Sequence, residues 1–419
     1  MSNLNSGRKM PLFVVFIILY VSNDTLLFGT NKNQIFFYLQ MAILASLLVV
    51  MLFMEHYVSR NQIIILLILT GFSLVSMIIN LDINIKYFYE IFVFVLSLLI
   101  VSSIDVDSFL IAYQKILYVL AIASIILFLL FEFSYGNVLK FPYILNDSDL
   151  KYFYFGLGFL EDLPHSVIPR SYGIFREPGV YFVFLTLAIV FELFYFEGKS
   201  QKRLLVYFIA LMLTFSTAAY IIMALIIPAY VFDLFRKKNV IIKNFSFLIP
   251  LVLVGFLFIS YFGWDSISKV VFGKLGTSNS SVDSRFGSVI TDINMASENL
   301  ITGKGWTFVE EEFKNFSMSA GYSELHNTNT LLKMLALHGT FYFVLVLFLI
   351  HRFWYTISSS VGFAVILTII YIVALSNEDL CVNPMVYILM FYGTSDCRRK
   401  DEDSDNKFGP IRQYGKNII

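Results

Sequence analysis

The chain has 419 residues, of which 58% are hydrophobic and only 14% charged, with basic and acidic side chains in equal number. A soluble domain carries about a quarter charged residues, so this composition excludes an ordinary water-soluble globule. The zero net charge gives no pull on nucleic acid, and the two cysteines, Cys381 and Cys397, lack zinc spacing.

Spanning a bilayer takes about 20 mostly apolar residues. Twelve stretches qualify: about 10–30, 34–54, 61–80, 85–104, 108–132, 178–196, 203–217, 218–235, 244–263, 327–351, 356–375 and 380–394. The first has no small-residue cleavage site followed by a soluble domain, so it reads as a retained helix. Residues 203–235 would make one helix of about 50 Å, too long for a single span, so two short helices hinged at Ser216-Thr217 are expected. The chain therefore reads as an all-α integral membrane protein over residues 1–394, with a charged cytoplasmic tail at 395–419 whose composition is that of a disordered segment.

Lys and Arg in short loops set orientation. With the N-terminus inside, the cytoplasmic face collects Arg8, Lys9, Arg60, Lys199, Lys202, Arg203, Arg236, Lys237, Lys238, Lys243, Arg352, Arg398, Arg399 and Lys400. The opposite short loops hold only Lys32 and Lys86. Both termini are then cytoplasmic, Cys381 and Cys397 fall on opposite sides of the last span, and two long segments, about 133–177 and 264–326, lie outside. Loops of this length in a compact protein usually carry function.

The first external segment ends in Arg170-Ser171-Tyr172-Gly173-Ile174-Phe175-Arg176-Glu177-Pro178-Gly179. Arginines before a helix that opens on proline can grip a phosphate with help from the helix N-terminus. An interfacial ion pair between Arg176 and Glu177 that merely anchors the helix explains the same residues. In the second segment, Phe286, Val289, Ile290, Ile293 and Leu300 approximate a helical apolar stripe, with Arg285, Ser288 and Asp292 on another face. Such a helix lies along the membrane surface or over a cavity mouth, or packs on its neighbours. Gly303-Lys304-Gly305 is too short for a phosphate-binding loop and reads as a tight turn. His326 stands where the tenth span begins, as a proton acceptor or a helix cap. His338, deeper in that span, fits packing or a helix–helix hydrogen bond. Asp147-Ser148-Asp149 has the spacing of a metal-binding carboxylate pair, but as an external loop it fits solvated carboxylates; no metal or other cofactor is expected.

At these residues the chain resembles the bacterial O-antigen polymerase and ligase superfamily, most closely its Wzy-type polymerases. The resemblance lies in Arg170…Gly173-Ile174-Phe175…Glu177-Pro178-Gly179 and in Leu213-Thr214-Phe215-Ser216-Thr217, where an arginine often found in the family after that serine is Thr217. It continues through Ser284-Arg285, Asn299…Gly303-Lys304-Gly305 and His326-Asn327, followed by Leu331, Leu332, Leu335 and Gly339. It implies a metal-independent glycosyltransferase of GT-C-like fold in the bacterial cytoplasmic membrane. Its substrates would be oligosaccharides on undecaprenyl pyrophosphate, and a flippase and a chain-length regulator are expected partners. Arg170 and Arg285, with Arg176 as a third, would hold the leaving pyrophosphate; His326, or alternatively Glu177, would take the acceptor proton; Gly303 and Gly305 would shape the loop. Two alternatives stand beside polymerase. A ligase would deliver glycan to a lipid A core, and a flippase or transporter should show charge near the bilayer midplane, where Lys115, Lys333 and Glu192 are the main ionisable residues.

Overall fold

The computed structural model describes residues 3–138, 140–146, 149–162, 169–196, 200–236, 280–322, 327–358 and 360–395. The expected span at 244–263 and the tail beyond 395 lie outside these residues. The described chain is mostly helical. Helices α1 (Asn3–Tyr20), α2 (Leu26–Gly29), α3 (Ile35–Leu52), α4 (Arg60–Ile79), α5 (Ile85–Ser103) and α6 (Val106–Val138) come first. After the strands β1 (Tyr143–Leu145), β2 (Lys151–Tyr154) and β3 (Phe159–Glu161), α7 (Pro178–Val190) runs into a π-helical turn at Phe191–Tyr195. Next come α8 (Gln201–Leu213), α9 (Thr217–Arg236), α10 (Ser280–Ser297), α11 (Gly305–Ser319), α12 (Thr330–His338), α13 (Thr340–Ser358), α14 (Val361–Leu375) and α15 (Pro384–Thr394).

Among the described residues, seven helices are long and apolar enough to cross a membrane: α3, α4, α5, α6 to Ser134, α7 with its π turn, α9 to Leu234, and α13. Shorter apolar helices at Lys9–Tyr20, Val361–Leu375 and Pro384–Thr394 join them. This is compatible with an all-α membrane protein. The outside agrees, since Phe37, Val49, Leu67, Ile78 and Phe348 are exposed; in water such a surface would aggregate, whereas lipid is its natural solvent.

α7 forms the centre, with every one of its residues buried. Phe184 stacks on Phe175 at 4.5 Å, and Tyr113 donates 2.8 Å to the Phe184 carbonyl. Local sequence sets the helix starts: Ser59 and Gln62 make a capping box for α4, and Asn329 and Asn383 cap α12 and α15.

Several expected boundaries are corrected. The expected helix at 10–30 ends at Tyr20, and the span drawn at 203–217 ends at Leu213 because Phe215 turns left-handed, with φ 47°. The span drawn at 327–351 is two helices, parted at Gly339 with φ +84°. The cause is backbone from the 299–305 turn, which pairs there: Thr340 N–H donates to the Leu300 carbonyl at 2.7 Å and Lys304 N–H to that of Ala336 at 2.8 Å. Nor is the described chain wholly helical, since the first long loop holds a three-stranded antiparallel sheet in the order β1-β2-β3. The second long loop holds α10 and α11.

Candidate functional site

The site sits where several connections meet at one end of the bundle. The segment before α7 is pinned by backbone: Ser171 N–H donates to Leu213 carbonyl at 2.9 Å, Leu26 N–H to Ile174 at 3.1 Å, and Arg176 N–H to Asp24 at 2.9 Å. Gly173, φ +55°, packs under Tyr181, whose ring would lie 3.1 Å from any Cβ placed there. Arg170 is steered by its Nε, which donates 3.2 Å to the Thr214 carbonyl at the α8–α9 hinge. Glu177 is the N-cap residue of α7, but its side chain makes no capping bond and remains exposed.

α10 brings Arg285. Its polar face is turned inward: Ser288 and Asp292 are fully buried, while Phe286 is 61% and Ile293 49% exposed. Thr328, just before α12, bonds Ser288 hydroxyl to hydroxyl at 3.0 Å, and Asn327 donates to Asp292. Burial drives the Asp292 carboxyl well above the usual carboxylate range, against the pull of Lys333. Of the expected apolar stripe, Phe286 and Ile293 face outward, Val289 and Ile290 are half-buried, and Leu300 lies beyond the end of the helix.

Glu378 arrives from the α14–α15 connection, which is tied down where Leu380 N–H donates 2.8 Å to Thr330 Oγ1. Together these segments enclose a cavity of about 140 Å³. Arg170, Glu177, Arg285 and Glu378 are its charged lining, with Ser216 and Thr217 at the start of α9 and Pro178 and Gly179 at the start of α7. Two helix N-termini therefore lend positive potential to the same space. A space of this volume with this lining admits a phosphate-sized anion.

Among the described residues, none of these four charged groups forms an ion pair. Two guanidiniums and two carboxyls thus share a largely buried cavity without satisfying one another. Burial pushes the Arg285 guanidinium down from its usual value, an effect that Arg170 reinforces and Glu378 opposes. Burial, then the charge of Glu177, pushes the Glu378 carboxyl well above the usual range, against Arg176 and Arg285.

Arg176 points elsewhere. Its guanidinium lies 3.6 Å from Asp24 and donates 2.8 Å to the Asp379 carbonyl. Asp24 also accepts from Asn383, and Lys333 pairs with Asp379 at 2.6 Å. Burial raises the Asp24 carboxyl to about 6 despite Arg176. Burial also works to raise Asp379, but Lys333 and Arg176 outweigh it and hold that carboxyl at about 2. The anchoring ion pair that competed with a phosphate grip is present, made with Asp24 rather than Glu177.

The structure thus brings Arg170, Glu177 and Arg285 to one cavity and leaves Arg176 out of its lining. Gly303 and Gly305 lie away from it, with φ +69° and +79°; a Cβ at Gly303 would be 2.3 Å from the Leu337 carbonyl, and one at Gly305 2.7 Å from Asp82. His326, Asp147 and Ser148 fall outside the described residues. Among the described residues no three His, Cys, Asp or Glu side chains converge as a metal would require. Elsewhere, His338 meets Glu90 at 3.0 Å in the bundle interior, Lys115 is not in the lining, and Glu192 pairs with Arg203 at 3.0 Å. Sequence reasoning passed over Glu378. Its one signal was a Glu-Asp pair in a very short connection on the same side as the two long loops. Comparison of the chain with protein-family models, curated proteins and solved structures finds no match.

Proposed function

We propose that the chain is a polymerase of bacterial surface polysaccharide, whether O-antigen, capsule or exopolysaccharide. It moves the growing glycan from undecaprenyl pyrophosphate to a hydroxyl of the next lipid-linked repeat unit. In this reading it lies in the bacterial cytoplasmic membrane with twelve spans in a GT-C-like arrangement. Both termini are cytoplasmic, and the cavity opens outward.

The observation that supports the reading is the meeting of Arg170 and Arg285, neither in an ion pair among the described residues, with two helix N-termini in one cavity. Breaking the anomeric C–O bond leaves negative charge on pyrophosphate, and fixed cations in a poorly hydrated site stabilise that charge as it develops. Glu177, exposed at the cavity edge, takes the proton of the attacking hydroxyl; His326 is the alternative base. Arg176 acts as an anchor for the start of α7. The apolar exterior beside the cavity suits a polyprenyl chain.

The test is chain formation from lipid-linked repeat units by purified protein. Arg285→Ala should slow transfer by roughly 10²–10³-fold, and Arg285→Lys should recover only part, because lysine keeps the charge without the bidentate fork. Full activity in Arg285→Ala would overturn the assignment. In cells, loss of the chain should leave single repeat units on the lipid A core. Unattached long polymer would show a ligase instead.

A further inference from the structure

We infer that Glu378 serves the cavity as its neutral acid, giving a hydrogen bond and then its proton to the anionic leaving group that Arg170 and Arg285 hold. This role rests on the pyrophosphate-releasing reaction proposed above.

Glu378 is only 3% exposed, yet it lines the cavity, and among the described residues its carboxyl accepts no hydrogen bond. It lies against the first turn of α7, where a Cβ on Gly179 would fall 1.6 Å from Glu378 Oε1. Glycine at that position is what lets the carboxyl reach the helix start. A buried carboxyl without a partner, facing an open polar space, is costly unless it is neutral or meets a ligand.

Charge counting gives the protonation state that the reaction needs. The groups that act on Glu378 are Glu177 and Arg176 before α7, Arg285 on α10 and Asp24 after α1; Arg170 completes the lining. Arg176 and Asp24 neutralise each other as a pair. That leaves two guanidiniums and two carboxyls, so with both carboxyls ionised the cavity is neutral and has no net attraction for pyrophosphate. One proton leaves a single net positive charge. Burial and the charge of Glu177 both assign that proton to Glu378, whereas Glu177 itself is exposed. Two carboxyls in contrasting surroundings are a recurring way to divide acid and base work.

The step balances. The acceptor oxygen bonds to the anomeric carbon and gives its proton to Glu177. The bond from that carbon to the pyrophosphate oxygen breaks, and its electron pair leaves with the oxygen. That oxygen takes the Glu378 proton, and Glu378 becomes a carboxylate beside Arg285. Water at the cavity mouth returns the proton from Glu177 to Glu378.

The probe is farnesyl pyrophosphate, whose binding to the full chain in nanodiscs is measured from pH 7.5 to 10, above the titration of Asp24, beside transfer with lipid-linked repeat units. Wild type should bind with constant affinity at the lower end and then lose up to about tenfold per pH unit as Glu378 ionises. Glu378→Gln, permanently neutral, should hold its affinity across that range while transfer falls by roughly 10² or more. Gly179→Ala, which displaces the carboxyl, should reproduce the transfer loss. Wild-type affinity without pH response, or normal transfer by Glu378→Gln, overturns the role. The wild-type profile needs no variant and so stands even if Glu378→Gln fails to fold. Absence of farnesyl pyrophosphate binding at every pH would instead overturn the proposed reaction itself.

Discussion

Arg176→Ala separates an anchoring arginine from a gripping one. The substitution removes a guanidinium 3.6 Å from Asp24, whose side chain is only 5% exposed. At that distance and an effective dielectric of about 20, the attraction is roughly 4–5 kcal/mol. Removing one partner of a buried pair typically leaves a net loss of about 3–5 kcal/mol. The loss should depend on pH with a definite sign. Asp24 in the folded protein titrates at about 6, above the value of about 4 in an unfolded chain. Its contribution is therefore fully present below pH ~4 and is lost as pH rises through about 6. Without Arg176 the folded value climbs further, so the penalty is largest at pH 8 and shrinks toward pH 5, where Asp24 takes up a proton. Thermal unfolding of purified protein at pH 5, 6.5 and 8 reads this directly. The double variant Arg176→Ala with Asp24→Asn should regain most of the lost stability at pH 8. A defect unchanged across pH, or untouched by Asp24→Asn, would refute the anchoring role.

Gly339→Ala should cost about 1–3 kcal/mol for a backbone conformation, φ 84° and ψ −178°, that is essentially confined to glycine, and more because the new Cβ would meet the Ile301 carbonyl at 2.2 Å; a melting temperature within a degree of wild type would contradict the interlocked turns. Glu90 accepts from Ser73 at 3.0 Å and meets His338 at 3.0 Å in the bundle interior. Glu90→Ala should therefore lower stability by about 3 kcal/mol or more, and Glu90→Gln by clearly less, as chemical denaturation in detergent would report. For sidedness, cysteines at Tyr143, 58% exposed on β1, and at Tyr355, 46% exposed near the end of α13, are compared on a background lacking Cys381 and Cys397. An impermeant thiol reagent on intact cells should label the first and spare the second, and the opposite pattern would place the cavity in the cytoplasm.

Much of the helical order is legible because hydropathy reports local chain: α3, α4 and α5 begin and end within two residues of the stretches read from sequence. The errors fall where tertiary contact overrides local pattern. Residues 327–351 read as one helix, since nothing within them shows that the 299–305 turn will bond across Gly339. The sheet at 143–161 was invisible because its strands are three or four residues long, too short for alternation to register.

The site was legible in kind more than in membership. Arg170 and Arg176 stand six positions apart, in the same run before one helix, and a sequence has no means of telling them apart. Asp24 and the Asp379 carbonyl, both remote in the chain, claim Arg176; Thr214 takes only the Nε–H of Arg170, which leaves its two terminal nitrogens for the cavity. The same logic explains α10. In sequence its stripe fits a helix along the membrane surface, over a cavity mouth or packed on its neighbours, and does not say which face turns inward. Ser288 and Asp292 go inward, while Phe286 and Ile293 remain exposed. In water that arrangement is doubly unfavourable, burying polar groups and wetting apolar ones. It becomes favourable when the inner polar face finds partners in Asn327 and Thr328 and the outer face meets acyl chains. The helix that carries Arg285 therefore fits a position at the membrane interface.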